Sequence, residues 1–157
     1  MREILFRGKL IDNCIWAFGN LSVEEIDYSE VNFIKGNKKE RTIYIQHQKA
    51  EFEEYCNEYG RRDFRRVQNR YKVDPDTVGQ YTGLTDKNGK RIFEGDIVRG
   101  ISFWHEKHKT YQVAFDDGDF YLVNDSGTMY RHEHVEDIEV IGNIHDNPEL
   151  LEARQEI

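Results

Sequence analysis

From Val78 to Ile144 the chain is cut into short apolar runs by turn-forming residues, and no other feature restricts its fold as tightly. Val78–Thr82, Ile97–Arg99, Tyr111–Phe115, Phe120–Val123, Thr128–Arg131 and Ile138–Ile144 read as strands. Between them lie Thr85-Asp86-Lys87-Asn88-Gly89-Lys90, Asp116-Asp117-Gly118-Asp119 and Asn124-Asp125-Ser126-Gly127. Asn88-Gly89 is expected to supply the positive φ angles of a tight hairpin. Turn signals about every 8–12 residues indicate a small barrel or sandwich. Asp146-Asn147-Pro148-Glu149 then reads as the start of a short helix, with a capping side chain, an early proline and an early acid.

Upstream the pattern is mixed. Residues 2–7 and 9–18 read as strands, with a turn at Gly19-Asn20. Val31–Ile34 and Thr42–Gln46 read as short strands around the hairpin-like Gly36-Asn37-Lys38-Lys39. Over residues 49–59, Phe52, Tyr55, Cys56 and Tyr59 fall at i, i+3, i+4 and i+7, which predicts a helix with one apolar face and Gly60 at its end. A second helical piece is predicted for the basic run that follows, with Phe64, Val67 and Tyr71 on one side. Asp74 precedes Pro75 and is driven toward extended geometry.

Composition excludes several classes. Of 157 residues, 13% are aromatic, which argues for a folded, ring-rich core, although 33% are charged. No apolar run approaches the ~18 residues of a membrane-spanning helix, and the charged opening Met1-Arg2-Glu3-Ile4-Leu5-Phe6-Arg7 is unlike a signal peptide. The expectation is a cytoplasmic protein with no membrane partner. Cys14 and Cys56 fit no Cys-x-x-Cys pattern and read as free thiols, Cys56 on the apolar helix face.

The formal net charge of −8 is unevenly spread. Residues 1–99 hold 18 basic and 17 acidic side chains, and residues 100–157 hold 4 and 13. The segment from Arg61 to Lys72 carries six positive charges against one negative. Arg61, Arg62, Phe64, Arg65, Arg66, Arg70, Tyr71 and Lys72 are therefore the candidate binding residues. One reading has them pair with acidic groups of the C-terminal half, within the fold or in a second copy. The other has the cations contact phosphates while Phe64 and Tyr71 stack on bases.

Signals for chemistry are weak. His105-Glu106-Lys107-His108 and His132-Glu133-His134 resemble ligand pairs, and on a strand His132 and His134 would point the same way. Spacing fixes no third ligand, and His-Glu-Lys-His is not the His-Glu-x-x-His zinc helix. Solvated loop residues are the better reading. No phosphate-binding loop, dinucleotide fingerprint or nucleophile elbow occurs. The expectation is no enzyme, no catalytic residues, no metal and no cofactor, and no small-molecule substrate is evident.

The stretch Val78-Gly79-Gln80-Tyr81-Thr82-Gly83-Leu84-Thr85-Asp86-Lys87-Asn88-Gly89-Lys90-Arg91-Ile92-Phe93-Glu94-Gly95-Asp96-Ile97-Val98 resembles the central signature of the YopX family. Residues 1–7 resemble that family's start and residues 140–151 its end, around a variable middle at roughly 20–74. The resemblance implies a phage or prophage protein of uncharacterised role with an SH3-like β-barrel. Physically, the signature reads as turns. Gly83, Gly89 and Gly95 are expected where the chain reverses or where the backbone must come close to a neighbour, Asp86 and Asp96 to accept backbone hydrogen bonds, and Tyr81, Ile92, Phe93, Ile97 and Val98 to fill the interior.

The combined expectation is an α+β, mainly β chain. Residues 1–75 hold N-terminal strands and a short, basic helical insertion; residues 76–157 form an SH3-like barrel with a short C-terminal helix. Its expected role is a non-enzymatic protein-interaction or self-assembly module of a phage or prophage, inside the bacterial host. The alternative is a nucleic-acid-binding protein using residues 61–72.

Overall fold

The computed structural model describes residues 4–27, 39–46, 51–56, 62–67, 70–104 and 107–152, with backbone alone at 25–27, 39–40, 51–56, 62–67 and 152. The described chain is mainly β and divides into two compact units, Leu5–Val78 and one built on Gly79–Ile157.

The first unit holds β1 (Phe6–Lys9), β2 (Trp16–Asp27), β3 (Lys39–Gln46), β4 (Glu51–Cys56), β5 (Arg62–Val67) and β6 (Arg70–Lys72). Four of these pair in the order β6-β3-β2-β1, while β4 and β5 form a separate antiparallel hairpin. No turn occurs at Gly19-Asn20, because β2 runs straight through it. A Cβ at Gly19 would lie 2.1 Å from the Gln46 carbonyl oxygen, so this glycine permits close approach of β3. Asp74 is extended as expected and caps a 3-10 turn at Pro75–Thr77, accepting a 3.1 Å bond from the Asp76 N–H. The hairpin-like Gly36-Asn37-Lys38 and the strand Val31–Ile34 lie outside the described residues.

The central helical insertion is corrected. Where it is described, residues 51–56 and 62–67 are strands, and β6 follows. A short apolar run can match i, i+3, i+4 by coincidence. Phe52, Tyr55, Cys56, Phe64 and Val67 are residue types that suit a pleated strand. The register also sets Glu53 opposite Arg65, an opposite-charge position.

The second unit holds β7 (Gly79–Thr85), β8 (Arg91–Phe93), β9 (Asp96–Ser102), β10 (Lys109–Asp116), β11 (Asp119–Val123), β12 (Met129–Arg131), β13 (Val135–Asn143) and the helix α1 (Glu149–Glu152). Five strands pair antiparallel in the order β12-β11-β10-β9-β13, and β7 pairs with β8. Among the described residues no closed barrel forms; the sheet remains open. Its core is Ile92, Val98, Tyr111, Val113, Phe120, Leu122 and Val135. The five signature residues expected inside, Tyr81, Ile92, Phe93, Ile97 and Val98, are all buried.

The signature does build turns. Gly89 and Gly95 stand at turns with φ of 80° and 79°, whereas Gly83 takes φ of 88° inside β7, at an irregularity in its pairing with β8; all three lie in a region costly for any side chain. Asn88, expected to share the positive φ of Gly89, does not. In the β10–β11 hairpin both Asp117 and Gly118 do, at 45° and 85°. Asp96 accepts a 2.8 Å bond from the Phe93 N–H. Asp86, 6% exposed, takes three backbone donors: Asn88 and Lys90 N–H to Oδ1 at 2.8 and 2.9 Å, and Val140 N–H to Oδ2 at 3.0 Å. The Lys87 N–H donates to the Ile138 carbonyl at 2.9 Å. The β7–β8 turn is thus stitched along the free side of β13, which satisfies an edge that would otherwise be open to pairing.

Candidate interaction surface

Past the end of β9 the chain presents two adjacent rings with no core to enter. Phe103 is 60% exposed and Trp104 is 64% exposed. The backbone there is fixed, since Ser102 is buried and the Phe103 N–H donates to the His134 carbonyl at 3.1 Å. His134 belongs to a 3-10 turn at His132–His134 that follows β12. Its imidazole meets the Trp104 ring edge-on at 5.2 Å and lies 6.2 Å from Phe103. Tyr130 of β12 lies 6.0 Å from Trp104 and makes a T-shaped contact at 5.7 Å with the fully buried Tyr111. Two strands separate β12 from β9 in the sheet, so the sheet must curl for these rings to meet. The result is a patch of rings exposed outward and anchored inward. Such patches mark interaction surfaces, and covering one large ring contributes about 1.5–3 kcal/mol.

The sequence-derived candidates fall elsewhere. Arg62, Phe64, Arg65 and Arg66 lie on β5, with register partners Cys56, Glu54, Glu53 and Phe52. Arg61 lies outside the described residues. A strand alternates faces residue by residue, so the segment is not the continuous basic helix face expected of it. Arg70, on β6, is committed to its own sheet. Its Nη2 lies 2.5 Å from Glu24 Oε1, and its guanidinium sits 4.0 Å over the Tyr44 ring. The hydrogen bond to Glu24 is the main reason its pKa rises above the usual value. Tyr71 and Lys72 are exposed.

The histidine candidates are not brought together. His132 and His134 stand in a turn and not on a strand, because three residues of 3-10 backbone separate β12 from β13. His108 Nε2 lies 2.7 Å from Asp137 Oδ2. Lys87 Nζ lies 3.4 Å from the same oxygen and 2.9 Å from Glu139 Oε2. The bond to His108 is the first cause of the lowered Asp137 pKa, and the bond to Glu139 is the first cause of the raised Lys87 pKa. Asp137 takes a φ of 54° at a bulge in β13, so this network pins an irregular edge. Among the described residues no three His, Cys, Asp or Glu side chains are grouped to hold a metal ion; His105 and Glu106 lie outside them. Cys14 is an exposed free thiol, and the Cys56 side chain lies outside the description. No described helix is long and apolar enough to cross a membrane.

Comparison with known proteins supplies the kinship. The family model described as YopX protein matches residues 6–152. The chain belongs to the YopX family. None of the curated proteins matches this YopX-family chain. Among solved structures it is similar to the crystal structure of protein EF1440 from Enterococcus faecalis, at 24% identity, over 96% of this chain and 99% of that one, with a TM-score of 0.48.

The ring patch was missed in reading the sequence. Its signal was Phe103-Trp104 standing at the end of the strand-like Ile97–Ser102 and directly before the charged His105–Lys109.

Proposed function

We propose that this YopX-family chain is a non-enzymatic protein-interaction module of a phage or prophage, acting in the cytoplasm of the bacterial host and assembling with further copies of itself. The observation that carries the reading is the exposed Phe103–Trp104 pair within its anchored ring cluster. Rings held by core contacts lose little freedom on docking and are typical interface anchors. Charge supports the same reading: residues 100–157 hold 13 acids and 4 bases, whereas Arg61–Lys72 holds six bases and one acid. Curled sheet and packed β7–β8 hairpin serve here as an SH3-like scaffold. The non-enzymatic part rests on the carboxylates of the signature, Asp86 and Asp96, which are occupied by backbone donors.

Affinity capture from prophage-carrying cells, with and without nuclease, tests this. Retention of a protein partner, including untagged copies of the chain, after nuclease treatment is the expected result. Loss of all bound material with nuclease would favour nucleic-acid contact through Arg61–Lys72 and refute the proposal.

A further inference from the structure

Between the β7–β8 hairpin and the five-stranded sheet lies a cavity of about 140 Å³. Its walls are Leu84, Ile92, Val113, Phe120, Leu122 and Ile138. Thr82 also lines it, but that hydroxyl is spent, donating to the Ile92 carbonyl at 2.8 Å and accepting from the Leu84 N–H at 3.2 Å. The interior is therefore apolar. Apolar cavities near 150 Å³ take a benzene-sized guest.

The mouth is polar and acidic. Asp119 and His132 line it and are both exposed. Asp119 Oδ1 accepts the Phe120 N–H at 2.9 Å, which holds the carboxylate at the start of β11. Among the described residues no cation pairs with it. Asp116 and Asp117 precede it in the same hairpin turn, so the local field favours a positive ligand and opposes a negative one.

We propose that this cavity binds a small organic cation: a benzene-sized apolar body with an ammonium group one or two bonds away, its ring inside and its charge beside Asp119. Burial of the ring drives binding, and Asp119 selects the charge. Sequence gave no sign of a small-molecule ligand because the cavity exists only once the hairpin is packed on the sheet. Neither Phe103 nor Trp104 lines it, so the proposal stands or falls separately from self-assembly.

The test is a titration of the full chain, labelled at Ile, Leu and Val methyls, with benzylamine, benzyl alcohol and benzoate. Benzylamine should shift the Leu84, Val113, Leu122 and Ile138 methyls saturably, benzyl alcohol more weakly, and benzoate least. Asp119→Asn keeps an oxygen for the Phe120 N–H and should lower benzylamine affinity by up to about fivefold, to that of benzyl alcohol. Leu84→Phe should fill the cavity and abolish the shifts. Absence of saturable shifts in the wild-type chain, or equal binding of the three probes, would overturn the proposal.

Discussion

Asp86 ties the β7–β8 turn to β13 through three backbone hydrogen bonds. Burial alone would push its carboxyl up, but the N–H groups of Val140, Lys90 and Asn88 outweigh that and hold it below the ordinary carboxylate range. A depressed folded value has a definite sign: the stabilisation is complete above the unfolded pKa of about 3.9 and is lost as pH falls through the lower folded value. Asp86→Ala leaves three backbone donors without their acceptor and should cost about 2–3 kcal/mol in urea unfolding at neutral pH. The difference between wild type and variant should shrink as the medium is acidified below about pH 4. Two glycines offer a contrast at the same scale. A Cβ at Gly89 meets nothing within 4 Å, so Gly89→Ala pays only for its φ of 80°, about 1 kcal/mol. At Gly19 the Cβ would collide with the Gln46 backbone, so Gly19→Ala should cost more, toward about 3 kcal/mol. Thermal melts of the two variants side by side check the order.

Elements differed in how openly the sequence declared them. The β10–β11 hairpin was legible because Asp117-Gly118 takes the two positive φ angles that a tight turn needs. The short C-terminal helix was legible from its proline and early acid, and α1 covers Glu149–Glu152. The stretch 51–56 was not legible as a strand, since its rings happen to match a helical period over too few residues to decide. Pairing with β5 is a nonlocal fact that a local period cannot contain. Backbone carbon chemical shifts at 51–56 and 62–67 should therefore be those of extended chain, and helical values at either segment would contradict the β4–β5 hairpin. At β6, Arg70 was read as an available cation; Glu24 and Tyr44, distant in sequence, bind it to its own sheet. Glu24→Gln should lower the denaturation midpoint only slightly, because the pair is partly open to solvent.

At the scale of the whole molecule, residues 100–157 carry 13 acids against 4 bases, and the exposed rings of Phe103 and Trp104 stand where β9 ends. Neither the ring patch nor the cavity could be read from the chain. The patch needs Trp104 beside Tyr130 across two intervening strands, and the cavity needs a hairpin laid over a sheet. Only the charge asymmetry and the candidate segment Arg61–Lys72 were visible beforehand, and neither names a contact. Self-association through rings and opposite charges is the central claim, and sedimentation velocity of wild type against Phe103→Ser/Trp104→Ser tests it most directly. The account predicts a wild-type species larger than one chain that dissociates as salt rises, and a folded variant that stays monomeric. A wild-type chain that sediments as a monomer at every concentration in low salt, or a variant that associates as wild type does, would contradict it.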